Sequence, residues 1–298
     1  MNLGYACINT GLSANRIMTN RTMRRKTFDA RGIDYVSDLS LANIKDLKTI
    51  VQWNNEMGIK LFRLSSQIFP WSDEYNVEDL KDYEEISSLM LEIGRIATDA
   101  GQRLTMHPGP YNCLASPTQK VVDKTIRELN FHSEQFNMFG FKPSNHNKIN
   151  IHVGGAYGDR KSTLARFCKN FHLLNEDTKK RLVIENDDSP NEYSVKDLFD
   201  GVYQVIGIPI TFDYFHHKFN TGGLTEEEAL KMASITWPED VTQCCHYSES
   251  RRKEKLDESI RAQAHSDLIY EIINTYGLNI DVVIEAKSKE QAIFKRPT

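Results

Sequence analysis

Along this 298-residue chain, apolar runs repeatedly stop on a side chain that can bind a cation or carry a proton. His107 closes RLTMH, His152 closes KINIH and Glu185 closes RLVIE. Asp213 follows PITF with His216 three residues on, His246 ends VTQCCH, and Glu285 ends DVVIE. A lone His or Glu at such a place is ordinarily a hydrogen-bonded rim residue. Four imidazoles and three carboxylates gathered together are different, because that much negative charge is unfavourable until cations neutralise it. Imidazole and carboxylate without thiolate suit Mn²⁺, Zn²⁺ or Fe²⁺. The set exceeds one ion's needs and predicts two or three divalent ions roughly 4 Å apart, bridged by Glu185 or Glu285.

Spacing constrains the set. Residues three apart in a strand face opposite ways, so Asp213 and His216 share a site only if the backbone turns after Asp213, which leaves His217 facing away. Cys244 and His246, two apart, face the same way, placing Cys244 beneath the ligand layer as a ligand or as a small core thiol.

Something must bring these residues to one mouth. Strand-type runs recur at Leu3–Ile8, Lys60–Leu64, Arg103–Met106, Lys148–Val153, Arg181–Glu185, Pro209–Phe212, Val241–His246 and Asn279–Glu285. Helical spacing fills the intervals: Leu39–Met57, the Ile86-to-Ala100 face, Thr118–Phe139, Lys161–Leu174, Val195–Ile206, Thr225–Ser234 and Leu256–Tyr276. Strands separated by crossovers pair in parallel. The pattern predicts an α/β fold: a single (β/α)8 TIM barrel over residues 1–298 with a multi-metal site at the C-terminal ends of its strands, from which barrel enzymes project their catalytic groups. The alternative is an open doubly wound sheet; no Gly-x-Gly-x-x-Gly turn follows the first strand, which disfavours its dinucleotide-binding form.

Hydrophobic residues at 40% and charged residues at 26% exclude a disordered or fibrous chain. With 37 Lys and Arg against 41 Asp and Glu, the net charge is −4, so no overall cationic field advertises nucleic acid or a membrane. Positive charge gathers instead in Asn15–Arg31, where six cations face only Asp29. The N-terminus lacks the apolar run of a signal peptide, and no stretch approaches a membrane span. Five cysteines without CxxC spacing predict reduced thiols and a cytoplasmic protein, nucleoid-associated if prokaryotic.

The motifs, in order, are LGYACIN from Leu3, FRLSS from Phe62, HPGPY from His107, HVGG from His152, ENDD from Glu185, DYFHH from Asp213, HYS from His246 and EAKSKE from Glu285. Together they resemble the UV damage endonucleases, relatives of the endonuclease IV and xylose isomerase-like barrels. The resemblance runs from Leu3 to around Glu290. It implies a Mn²⁺-dependent DNA repair endonuclease that nicks duplex DNA immediately 5′ to cyclobutane pyrimidine dimers and 6-4 photoproducts, with abasic sites as a lesser substrate, leaving a 3′-hydroxyl and a 5′-phosphate. His107, His152, Glu185, Asp213, His216, His246 and Glu285 would be its metal ligands, and Tyr5, Asn9, Pro110 and Tyr111 its lesion-probing residues.

Three departures stand out. Where the family has a His after the FRLSS-type motif, this chain reads FPWSDEY, putting Asp73 or Glu74 there as a carboxylate ligand. Cys244 stands where the family often has Lys, and Pro110 stands where a Gln is expected. Hydrolysis by a metal-activated water makes Glu185, Glu285 and His246 the catalytic residues, with Asn186, Asp187 and Asp188 orienting water or ligands. A photoproduct stacks and pairs poorly, so bending the duplex and flipping it out costs less than for intact DNA, and Tyr111 can fill the gap. Arg21, Arg24, Arg25 and Lys26 form a phosphate clamp, with Lys218 and the Arg251–Lys255 run as weaker candidates. Alternatives are an abasic-site endonuclease of the endonuclease IV type, a sugar isomerase-like barrel, and a non-catalytic damage-binding barrel. The expected partner is damaged double-stranded DNA, with no membrane and no obligate protein partner.

Overall fold

The computed structural model describes residues 1–296; Pro297 and Thr298, the last two of the expected unit, lie outside the described residues. Eight short strands appear where the apolar runs predict them: β1 Leu3–Ala6, β2 Leu61–Leu64, β3 Arg103–Met106, β4 Ile149–Ile151, β5 Leu182–Glu185, β6 Ile210–Thr211, β7 Gln243–Tyr247 and β8 Ile280–Ile284. All ladders are parallel, in the order β6-β5-β4-β3-β2-β1-β8-β7. Between β6 and β7 the ring closes through one parallel bridge, Asp213 to His246, with the His246 N–H donating to Phe212 O at 2.9 Å. Two expected metal ligands are thus the seam of the barrel.

Side chains alternate across each strand. Tyr5, Phe62, Leu104, Ile151, Ile184, Phe212, Cys245 and Ile284 face out into the main core under the helices. Ala6, Leu61, Val183, Cys244 and Val283 form a separate small cluster with Trp237 and Val241 inside the barrel. Below them Arg103 pairs with Asp281 at 3.0 Å and lies over the Trp237 ring, a buried polar floor. The site is therefore a mouth above a filled barrel.

Among the described residues, twelve α-helices accompany the strands: α1 Thr10–Ser13, α2 Arg25–Glu56, α3 Tyr83–Asp99, α4 Gln119–Met138, α5 Arg160–Phe171, α6 Glu176–Arg181, α7 Val195–Leu198, α8 Gln204–Ile206, α9 Tyr214–His217, α10 Glu226–Ser234, α11 Arg251–Lys255 and α12 Glu290–Phe294. Among the described residues, no helix is long and apolar enough to cross a membrane.

Two expectations change. The helix predicted from Leu39 begins at Arg25, so the last seven of the seventeen residues of the basic stretch Asn15–Arg31 are helical, and the helix kinks just after them at Gly32, φ 65° and ψ −161°. The helix predicted over Leu256–Tyr276 is absent. Leu256, at φ 50°, ends α11, and the backbone donors beyond it are taken by carboxylates. Glu254 accepts from the N–H groups of Asp267 and Leu268, and Glu249 from those of Tyr270 and Glu271, at 2.9–3.1 Å. Side-chain acceptors here replace the carbonyls a helix would have used.

Candidate metal centre

Glu185, at the end of β5, is fully buried, and the other expected ligands surround it. Its Oε2 lies 3.3 Å from His107 Nε2 and 3.6 Å from His152 Nε2. Its Oε1 lies 3.0 Å from His246 Nδ1 and 3.6 Å from His216 Nδ1. Two groups able to hold a cation result, one of His107, His152 and Glu185, the other of Glu185, Asp213 and His246. In each, the ligand atoms lie within 4.8 Å of one another. Glu185 belongs to both, as a bridging carboxylate would.

Outer contacts aim the imidazoles. His152 Nδ1 lies 2.7 Å from Asp187 Oδ1, His107 Nδ1 3.0 Å from Pro108 O, and His216 Nδ1 2.8 Å from Asn186 O. Acceptors at Nδ1 hold the proton there and leave each Nε2 lone pair for a metal. Asp213 supplies the turn that spacing demands: its Oδ1 caps α9, accepting from Phe215 N at 2.7 Å and His216 N at 2.8 Å, which folds His216 back to the mouth. His217 packs away against Phe212. Asp213 Oδ2 is buried without a partner, the orphaned acceptor that a cation site leaves.

The electrostatics fit a site awaiting positive charge. Against the cost of burial, His246 and His152 hold Glu185 well below the usual carboxylate range. Burial, with Glu185 and Glu285 nearby, pushes Asp213 up to about 6. Burial pushes His246 down to about 4 and also lowers His107. The opposite holds for His152, which Glu185 and Asp187 carry up to about 10 despite burial, and for His216, which Asp213 and Glu185 carry up to about 9.

The remaining expected residues are placed unevenly. Tyr111 is 91% exposed beside the mouth, next to an exposed Pro110. Tyr5 and Asn9 are fully buried. Tyr5 points outward from β1, its hydroxyl donating to Asn54 of α2 at 2.8 Å, while Asn9 donates to that hydroxyl and caps α1. Strand alternation puts Gly4 and Ala6, not Tyr5, on the inner face. Asp73 and Glu74 do not join the metal groups; they pair with Lys124 at 2.9 Å and Arg25 at 2.6 Å. Of the clamp residues, Arg21 pairs with Asp46 and Arg25 with both Asp29 and Glu74, whereas Arg24 and Lys26 are exposed and enter none of these pairs. Cys244 is a core thiol inside the barrel.

Four further residues touch the centre. Arg63 donates to Glu285 Oε1, and Glu285 in turn is held below the usual carboxylate range by Arg63 and His246 despite burial. Asn150 donates to Glu185 Oε2. Lys148 reaches His246 from below, and His265 Nδ1 lies 3.0 Å from Glu285 O. Period two within KINIH and FRL carries the signal for three of them, because it puts Lys148 and Asn150 on the face of His152, and Arg63 on that of Leu61. His265 sits in the irregular segment read as helix.

Comparison with known proteins points to one family. The family model for UV-endonuclease UvdE matches residues 1–296. A UV-damage endonuclease of Schizosaccharomyces pombe is 36% identical over 307 residues, covering 98% of this chain and 49% of that protein. One from Neurospora crassa is 31% identical over 345 residues, covering 98% and 50%. The chain thus spans about half the length of these two relatives. The crystal structure of SacUVDE superposes with a TM-score of 0.84 at 29% identity, over 98% of this chain and 95% of that one. With the family model matching residues 1–296 and relatives at 31–36% identity over 98% of its length, this chain belongs to the UV-endonuclease UvdE family.

Proposed function

We propose that this protein is a metal-dependent DNA repair endonuclease that nicks duplex DNA immediately 5′ to UV photoproducts, leaving a 3′-hydroxyl and a 5′-phosphate. The observation that carries the reading is Glu185, shared by two donor groups at the mouth of a barrel whose relatives are UV-damage endonucleases. His107 and His152 with Glu185 Oε2 would hold one divalent ion, and Asp213 and His246 with Glu185 Oε1 a second. His216 and Glu285 complete the set. Oxygen and imidazole donors suit Mn²⁺ or Zn²⁺, and we favour Mn²⁺. Divalent ions bound there supply Lewis-acid activation of water and neutralise charge on the phosphoryl oxygens and the departing 3′-oxygen.

The chain's own residues do the rest. Asp187, Pro108 O and Asn186 O set the tautomers of His152, His107 and His216, which pre-aims these three imidazoles. Arg63 holds Glu285 ionised toward the centre. Tyr111, exposed at the rim, has the planar area to fill a gap in a bent duplex, while Pro110 contributes shape but no donor. Arg24 and Lys26 are free to meet phosphates. Tyr5 and Asn9, the other expected probing residues, are buried within this wall, hydrogen-bonded to each other, with Tyr5 also bonded to Asn54.

An end-labelled duplex carrying one defined cyclobutane dimer, incubated with the Mn²⁺-loaded protein, tests the proposal. A single cut on the 5′ side of the lesion with a ligatable 3′-hydroxyl is expected. Cleavage confined to an abasic duplex would instead make it an endonuclease IV-type enzyme, and lesion binding without a cut at any metal concentration would make it a binding protein.

A further inference from the structure

Lys148, just before β4, is buried among polar atoms with no carboxylate in contact, and the mechanism above leaves it idle. Its Nζ lies 2.8 Å from Thr211 Oγ1, 3.2 Å from Asn150 Oδ1, 3.3 Å from Cys244 O and 3.2 Å from His246 Nε2. Two of these partners continue upward to the same residue. Asn150, accepting from Lys148 at Oδ1, turns its Nδ2 to donate to Glu185 Oε2. The His246 ring, met by Lys148 at Nε2, turns Nδ1 toward Glu185 Oε1 at 3.0 Å and Glu285 Oε1 at 3.3 Å.

We propose that Lys148 is the positioning residue of the metal centre, one buried amine that accepts the Nε2–H of His246, donates to Asn150 Oδ1, and through these two side chains sets both oxygens of the bridging Glu185. The inference rests on the metal-centre reading given above. Without the amine, the Asn150 amide is free to flip and present its oxygen to Glu185, and the His246 ring is free to rotate Nδ1 away. Either change misdirects a carboxylate shared by two ions. Thr211 Oγ1 and Cys244 O serve as the anchors that hold the amine centred under the pair.

The sign of the effect separates positioning from simple electrostatics. A cation beneath a cation site repels the metal, so if charge were all that Lys148 contributed, its removal would tighten metal binding. Positioning predicts the reverse, a loss of about 10–100-fold as for other outer contacts to metal ligands.

The test is Mn²⁺ affinity and stoichiometry by titration calorimetry on the metal-free protein, for wild type and Lys148→Met, with thermal melting of each as a control for folding. Weaker binding by at least about tenfold in a folded variant is expected. Unchanged or tighter binding overturns the proposal and leaves the metal centre intact. Wild type that takes up no Mn²⁺ overturns both readings together. Should Lys148→Met fail to fold, the double variant Lys148→Ala, Cys244→Lys decides. Cys244 lies inside the barrel and its carbonyl already contacts Nζ, so a lysine there returns an amine to the vacated space. Recovery of Mn²⁺ affinity in the double variant supports the assignment, and a folded double variant that binds Mn²⁺ more than about tenfold worse than wild type refutes it.

Discussion

Glu185 is fully buried and still ionised because imidazoles approach both its oxygens, and that single side chain concentrates the testable chemistry of the site. Glu185→Gln keeps the shape but removes the charge shared by both donor groups. Nicking is expected to fall by more than the ~10–100-fold of an outer-contact loss, while affinity for lesion DNA in a gel-shift assay persists. His152 at about 10 and His216 at about 9 carry protons at pH 7 in the metal-free protein, and a metal must displace them. Calorimetry in buffers of different ionisation enthalpy should therefore show about two protons released as metal loads at pH 7, and affinity rising with pH up to that range. The stability sign follows the same shifts. Both pKa values lie above the unfolded value near 6.5, so in the metal-free protein their contribution is complete below pH 6.5 and is lost as pH rises through 9 to 10.

At the level of elements, the segment after β1 is both scaffold and candidate DNA contact. Arg21 and Arg25 enter ion pairs, so within this segment the proposed phosphate contacts are Arg24 and Lys26 at the start of α2. Removing both should lower the salt slope of DNA binding by about 2 without moving the cleavage position, whereas replacing Arg21 should cost stability instead. The packing of α3 offers a sharper structural test. A Cβ on Gly94 would lie 1.7 Å from the carbonyl oxygen of Phe139, the residue that caps α4. Gly94→Ala is expected to cost about 1–3 kcal/mol in urea unfolding, since backbone rather than a flexible side chain must move.

For the molecule as a whole, metal binding would be coupled to the fold, because the candidate ligands come from the ends of six strands and the Asp213–His246 bridge closes the barrel. Ions that bind only the folded chain stabilise it by about 2.7 kcal/mol per site at a hundredfold excess over Kd. At about 2–4 °C per kcal/mol, Mn²⁺ should raise the melting temperature by roughly 5–10 °C per site, and a chelator should reverse the shift. The main apolar core lies outside the strands and the ligand layer inside their upper ends, so the metal-free protein should remain folded.

Much of this was legible in the residues themselves. Strand count, parallel pairing and the ligand types at strand ends follow from local rules: apolar runs, crossover lengths, and the side chain that ends each run. The turn after Asp213 and the inward Cys244 followed from period two alone. Contacts between residues far apart in the chain did not. Only the closed barrel gave both Glu185 oxygens their partners, drew Arg63 onto Glu285 and set Lys148 beneath His246. It also turned Tyr5 into the wall, tied Asp73 and Glu74 to Lys124 and Arg25, and kept 256–276 from being helical by supplying carboxylate acceptors from Glu249 and Glu254. Periodicity fixes the face from which a side chain leaves its strand, whereas closure of the ring decides what it meets there.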